Sequence, residues 1–163
     1  MKTTKAVILA GGKGARMDRL NTCKPLVKVG ADSMLVRIVK QLEAAGIEEV
    51  TIVLGPRGEE VEKELLGRKD IGATISYVRQ EEDESAGGLI KSFLSLKNMD
   101  DSPVVITMSD LVFVENPFTY VLESDCQDKT LCTLVGTHDE HKYMSGALSR
   151  AKIVNGLVEV VDR

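Results

Sequence analysis

Aromatic residues are scarce in this chain of 163 residues: they make up 4% of it, and tryptophan is absent. Proteins that bind single-stranded nucleic acid stack the bases on aromatic side chains, so this composition argues against that function. The net charge is −4, and no basic stripe runs along the sequence, which argues against binding to duplex nucleic acid. We therefore predict that nucleic acid is not a partner.

Long apolar runs are missing as well. No run approaches the roughly 20 residues that a membrane-spanning helix needs, and the N-terminus leads into a short strand where a secretory protein would have a signal peptide. The three cysteines, Cys23, Cys126 and Cys132, are an odd number without the spacing of a metal site. These absences predict a cytoplasmic protein that has reduced thiols and no membrane partner.

What remains is a composition ordinary for a soluble domain, 43% hydrophobic and 28% charged. Predicted strands and helices alternate along it, which is typical of a three-layer α/β fold with a mostly parallel sheet. We predict one domain over residues 1–163. The predicted strands are 6–9, 50–54, 74–79, 104–108 and 130–135. The predicted helices are 35–45, 59–66, 85–97 and 118–123. We also predict a short extended segment at 26–29 and a hairpin at 152–160.

The most informative segment follows the first predicted strand and reads Leu9-Ala10-Gly11-Gly12-Lys13-Gly14-Ala15-Arg16-Met17. Three glycines in four positions allow backbone N–H groups to come close to an anion and surround it. Arg16 and, further along, Lys24 would add a guanidinium fork and an ammonium group for phosphate oxygens. A tight structural turn is the alternative interpretation, but the two cations favour a polyphosphate site.

A carboxylate follows another predicted strand. Ser109 and Asp110 come directly after the strand predicted at 104–108. Ligands of open parallel sheets bind beyond the carboxyl ends of the strands. If the first strand and this one are neighbours, Asp110 faces the phosphates, where a carboxylate is a natural ligand for magnesium. The alternative is that Asp110 only caps the turn after its strand.

The glycine loop followed by Lys24-Pro25-Leu26 resembles the sugar-phosphate nucleotidyltransferases, the enzymes that make nucleoside-diphosphate sugars. Their signature is Gly-Gly-x-Gly-Thr-Arg-Leu/Met followed by Pro-Lys-Pro-Leu. Residues 42–50 are similar to the first helix and second strand of that family, and residues 84–89 to its Gly-Thr-Ala-Gly-Ala-Leu segment. Asp110 falls where the family has its magnesium-binding aspartate. The chain departs from the pattern at Ala15, Cys23 and Glu84, where the family has threonine, proline and glycine.

This resemblance implies a Rossmann-like αβα nucleotidyltransferase domain. The domain would move a nucleoside monophosphate from a nucleoside triphosphate to a sugar 1-phosphate, or to a similar phosphorylated small molecule, and release pyrophosphate. Mg²⁺ would be the cofactor and Asp110 its ligand. Arg16 and Lys24 would be catalytic, Arg16 at the β/γ end of the triphosphate and Lys24 near its α-phosphate. The nucleotide would lie against Leu9, Ala10, Gly11, Gly12, Lys13, Gly14, Gln80, Ser85, Ala86 and Gly87.

The family's core continues beyond the length of this chain. Residues 161–163 fall about where its Glu-Lys-Pro motif begins, so the sugar-phosphate lysine and a second metal-binding aspartate are expected beyond them. The alternative functions are therefore a nucleotide-binding regulatory module without turnover and a transfer domain completed by a partner chain. An incomplete sheet also favours a homo-oligomer. The sequence leaves the base and the acceptor undetermined.

Overall fold

The structure is a computed structural model that describes residues 5–12, 22–80, 92, 95–96, 103–123, 150–154 and 157–161. The chain divides into two compact units, Met1–Gln127 and Asp128–Arg163. The strands are β1 (Lys5–Ala10), β2 (Lys28–Val29), β3 (Asp32–Ser33), β4 (Glu49–Leu54), β5 (Thr74–Arg79), β6 (Val105–Met108), β7 (Arg150–Val154) and β8 (Leu157–Val161). The helices are α1 (Met34–Ala44), α2 (Gly58–Leu65) and α3 (Pro117–Glu123), and one turn of 3-10 helix covers Lys24–Leu26.

The first unit is built on a parallel sheet whose described strands lie in the order β5-β4-β1-β6. β1 lies between two neighbours, so that Leu9 is opposite Val53 on one side and Met108 on the other. Next along, β4 pairs with β5, and Leu54 is opposite Arg79. The strands therefore end at one common edge, and the prediction of a mostly parallel α/β sheet is confirmed.

One face of the sheet packs against α1 and forms the main core. Leu35, Ile38 and Leu42 of α1 are fully buried against Ile8 of β1 and Ile52 of β4. Burial of each such side chain stabilises the fold by about 1.5–3 kcal/mol, so these contacts hold β1 and β4 firmly in place. The carboxyl ends of these two strands, Ala10 and Leu54, are held next to each other as a consequence.

The ends of the helices follow from individual residues. The Ser33 hydroxyl caps α1 by accepting a hydrogen bond of 3.3 Å from the Val36 N–H. Gly46, with φ of 93°, ends that helix. The Asn116 side chain accepts a hydrogen bond of 3.1 Å from the Phe118 N–H at the start of α3. Among the described residues, no helix is both long and apolar enough to cross a bilayer.

Most of the predicted elements are confirmed, including the hairpin, which β7 and β8 form as an antiparallel pair with Val154 opposite Leu157. Two expectations need correction. Residues 26–29 are not a continuous extended segment, because a 3-10 turn precedes β2. The apolar run 104–108 predicts a strand buried on both faces, but β6 is buried on one face only: Val105 and Thr107 are buried, whereas Ile106 and Met108 are 42% and 45% exposed. The strand predicted at 130–135 and nearly all of the helix predicted at 85–97 lie outside the described residues.

A network of four charged side chains links β3, α1 and the segment after α2. Lys40 Nζ lies 2.7 Å from both Asp32 and Asp70, and Arg68 Nη2 lies 2.8 Å from both. The hydrogen bond from Lys40 lowers the pKa of Asp32, and the one from Arg68 lowers the pKa of Asp70. Both carboxylates are therefore more acidic in the folded protein than in the unfolded chain.

We expect acid to destabilise the fold through this network. Because both folded pKa values are lowered, the ionised carboxylates stabilise the protein above the unfolded value, about 3.9, and that contribution is lost as the pH falls through the folded values. Urea unfolding between pH 5 and pH 3 should therefore show a smaller loss of stability for Asp32→Asn than for the parent protein. Glu49→Gln, at an exposed position outside the network, is the control and should follow the parent. Parallel curves for Asp32→Asn and the parent would contradict the prediction.

Candidate functional site

The carboxyl edge of the sheet brings together residues that are far apart in sequence. Gly11 and Gly12 follow β1, Gly55 follows β4, Gln80 follows β5, and Asp110 lies two residues after β6. Ligands of open parallel sheets bind at this edge. Leu9 and Ala10, the last residues of β1, are buried and lead the chain to it.

Gly11 is enclosed by its neighbours. A Cβ atom added to it would lie 2.7 Å from Gln80 Oε1 and 2.8 Å from Ser92 Oγ. A Cβ atom added to Gly55 would lie 2.7 Å from the carbonyl carbon of Gly11. Around Gly12, by contrast, no heavy atom of the described chain lies within 4 Å of the equivalent position. The glycine loop thus begins at a tightly packed residue, and the next residue, Gly12, has space around it among the described residues.

Lys24 and Asp110 form an ion pair at this edge of the sheet. Lys24 Nζ donates a hydrogen bond to Asp110 Oδ2, and the two side chains are 44% and 20% exposed. Lys24 starts the 3-10 turn, in which Pro25 is buried. The Ser109 N–H donates a 3.2 Å hydrogen bond to the Leu9 carbonyl, which extends the β1–β6 pairing and holds Asp110 next to the loop. The structure therefore brings together two of the side chains that the sequence singles out.

The Asp110 carboxylate is suited to hold a metal ion together with the phosphates of a bound ligand. Within the described part of the chain, no group of three or more His, Cys, Asp or Glu side chains could hold a metal ion. Magnesium usually binds one or two carboxylates and takes its remaining ligands from phosphates and water. The partly exposed Asp110 carboxylate, placed beside the glycine loop, is suited to that kind of coordination.

Cys23, directly before Lys24, belongs to the core. Its side chain is buried, and it packs in the same cluster as α1 and α2. Burial raises the pKa of the Cys23 thiol, and the negative charge of Glu60 adds to the effect. A raised thiol pKa disfavours the reactive thiolate. Cys23 is therefore a buried apolar replacement for the family's proline.

Two residues of the site escaped the sequence analysis. In the sequence, Gly55 is part of the Gly-Pro break after β4, and Ser92 is one polar residue of a predicted helix. The available signal for Gly55 was its place directly after a strand that neighbours β1. Several predicted site residues lie outside the described residues, and their roles stay predictions: Lys13, Gly14, Arg16, Ser85, Ala86 and Gly87.

A parallel sheet with a glycine loop, a lysine and an aspartate at its carboxyl edge defines a Rossmann-like nucleotidyltransferase domain. The model of the MobA-like NTP transferase domain matches residues 6–157. The chain belongs to this family. The resemblance found in the sequence is thereby confirmed.

The relatives are longer proteins. Mannose-1-phosphate guanyltransferase of Yarrowia lipolytica is 27% identical over 147 residues, which cover 88% of this chain and 40% of that protein. A crystal structure from Bacillus anthracis, described as a glucose-1-phosphate thymidylyltransferase, has 27% identity and a TM-score of 0.62, and the match covers 72% of this chain and 48% of that one. CTP:phosphocholine cytidylyltransferase of Streptococcus pneumoniae shares the fold, with 23% identity, a TM-score of 0.53 and coverage of 69% and 47%. This chain spans less than half the length of each.

We expect the Lys24–Asp110 pair to contribute little to stability, because partly exposed ion pairs are worth about 0.2–1 kcal/mol. Lys24→Gln and Asp110→Asn should each lower the free energy of unfolding in urea by less than about 1 kcal/mol. Ile52→Ala, in the buried core, calibrates the measurement and should cost about 2–5 kcal/mol. A loss comparable to that of Ile52→Ala from either polar variant would show that the pair is chiefly structural.

Proposed function

We propose that this domain belongs to an enzyme that transfers a nucleoside monophosphate from a nucleoside triphosphate to a sugar 1-phosphate. The observation that carries the proposal is the Lys24–Asp110 pair at the edge where parallel sheets bind ligands, next to the Ser109 N–H that donates a hydrogen bond to Leu9 at the start of the glycine loop. Membership of an NTP transferase family supports the same reaction.

The reaction needs charge neutralisation and alignment more than a protein nucleophile. A phosphate oxygen of the acceptor attacks the α-phosphorus, the bond from the α-phosphorus to its bridging oxygen breaks, and pyrophosphate leaves with that oxygen. The backbone N–H groups of the loop that begins at Gly11 and Gly12 would hold the triphosphate. Arg16 would neutralise the leaving pyrophosphate, and Lys24 the α-phosphate and the incoming acceptor.

Asp110 would hold Mg²⁺, which when bound neutralises phosphate charge and orients the triphosphate. Without a ligand, the Asp110 carboxylate pairs with the Lys24 ammonium, which compensates its charge. The lysine side chain has four flexible carbons. Lys24 can therefore turn from the carboxylate towards phosphate oxygens without a rearrangement of the backbone.

The relatives indicate which substrates to test first. The Yarrowia lipolytica protein is named as acting on mannose 1-phosphate, and the Bacillus anthracis structure on glucose 1-phosphate. We take a sugar 1-phosphate as the acceptor class, and GTP and dTTP as the first nucleotides. A cytoplasmic location and assembly into a homo-oligomer complete the proposal.

Binding of a nucleoside triphosphate should raise the melting temperature in the presence of Mg²⁺. A ligand at a hundred times its Kd adds about 2.7 kcal/mol, which corresponds to several degrees for a domain of this size. GTP, dTTP, UTP, CTP and ATP are each scanned with and without Mg²⁺, and pyrophosphate release is then followed with mannose 1-phosphate and glucose 1-phosphate. Binding without pyrophosphate release would favour the regulatory alternative, and no shift with any nucleotide would contradict the proposal.

Substitution of Arg16 and Lys24 tests the roles of these two positively charged side chains. Arg16→Ala and Lys24→Ala should each weaken nucleotide binding or transfer at least tenfold, about 1.4 kcal/mol, because each removes a charge that faces phosphate. Lys28→Ala is the matched control, since it removes the same charge four residues beyond Lys24. The Lys28 side chain is 61% exposed and lies 3.6 Å from Glu64, away from Asp110. Equal effects of Lys24→Ala and Lys28→Ala would mean that only net charge matters.

A further inference from the structure

Gly55 and Gly11 are the first residues beyond the paired ends of two neighbouring strands. Ala10, the last residue of β1, is opposite Leu54, the last residue of β4. The next residue of each strand therefore leaves the sheet at the same level. The glycine loop begins beside the turn that leads from β4 into α2.

The contact between these two residues leaves no room for a side chain at Gly55. A Cβ atom there would lie 2.7 Å from the carbonyl carbon of Gly11, 3.0 Å from its Cα atom, and closer still to its carbonyl oxygen. All three atoms belong to the backbone, so no rotation of a side chain can relieve the overlap. Ordinary contact would require the Gly11 carbonyl to move by roughly 1 Å, a displacement that can cost a hundredfold in the alignment of reacting groups.

The requirement for glycine at Gly55 is steric and not conformational. The described glycines with positive φ are Gly30, Gly46 and Gly67, and Gly55 is not among them. The crowding at Gly55 also differs from the crowding at Gly72. A Cβ atom at Gly72 would lie 2.6 Å from Glu43 Oε1, which is the far end of a flexible side chain. Glu43 can move away, whereas the Gly11 carbonyl cannot move without moving the loop.

Gly11 is also confined at its Cα atom. The Gln80 side chain and the buried Ser92 hydroxyl lie where a Cβ atom of Gly11 would be. The first peptide of the glycine loop is therefore fixed by backbone contact with Gly55 and by two side chains from other elements. Such contacts set the direction of the N–H groups that follow.

We propose that Gly55 is a positioning residue for the nucleotide. Its missing side chain allows the Gly11 carbonyl to pack against the end of β4, and this contact sets the position of the loop whose N–H groups hold the triphosphate. The inference rests on the proposed function. It goes beyond it by assigning the position of the loop to a residue that is not among the predicted site residues.

The test is Gly55→Ala in the full chain. We expect the variant to fold, and the Kd for the nucleotide that binds the parent to rise at least tenfold, because the loop is displaced. The ¹⁵N–¹H resonances of Gly11 and Gly12 should shift in the protein without ligand. Gly72→Ala is the matched control: it adds the same methyl group at another crowded glycine, and it should leave both the Kd and these resonances unchanged.

The possible outcomes separate the two proposals. A parent protein that binds no nucleotide overturns the proposed function and this inference with it. Nucleotide binding by the parent, together with an unchanged Kd and unshifted Gly11 and Gly12 resonances in Gly55→Ala, overturns this inference alone. An equal loss of affinity in Gly72→Ala would also overturn it, since the effect would then be general.

If Gly55→Ala does not fold, Gly11→Ala tests the same packing from the other side. Its added methyl group would lie 2.7 Å from Gln80 Oε1 and 2.8 Å from Ser92 Oγ. Ser92 is short and buried, so it cannot move away as Glu43 can at Gly72, and the backbone of Gly11 has to shift. We expect this variant to fold, with a shifted Gly12 resonance and at least tenfold weaker binding of nucleotide. An unshifted resonance and unchanged binding would show that packing at Gly11 does not set the position of the loop.

Discussion

The pairing of β1 with β4 and β6 is the constraint on which the rest of the site depends. Parallel strands that are in register end at the same level, so whatever follows them is brought to one edge. Here that edge receives the glycine loop, Gly55 and Asp110 from three separate parts of the chain. The buried contacts of α1 with Ile8 and Ile52 keep the strands in register, and the geometry of the site follows from core packing.

Charge at this edge is balanced within the site. A glycine loop and a lysine attract phosphate, and a carboxylate at the same place would repel it. The ion pair between Lys24 and Asp110 resolves this conflict when no ligand is bound, because each charge is compensated by the other. A triphosphate accompanied by a divalent cation offers both groups a new partner of the correct sign. This balance of charge supports the proposal of a metal-bound nucleotide over that of the free anion.

The sequence predicted those features of the fold that depend on local patterns. The spacing of buried residues in α1, its cap at Asp32 or Ser33 and the Asn116–Pro117 start of α3 all act within one or two turns of chain. Asp110 could be assigned to the site because strand ends share an edge and because a family resemblance was present. Gly55 could not, because its importance arises from a contact with Gly11, which is 44 residues away in sequence and next to it only after the sheet forms.

The proposed site is compatible with relatives that are named for different acceptors. In that site a glycine loop, one lysine and one aspartate would recognise what all nucleoside triphosphates share, and they contain no group specific for a sugar. The Streptococcus pneumoniae protein shares this fold and is named for phosphocholine, which has no sugar ring. Phosphate recognition would then depend on the sheet edge, where the backbone contact between Gly11 and Gly55 leaves no room for a side chain. The groups placed at this edge would leave recognition of the acceptor to other residues.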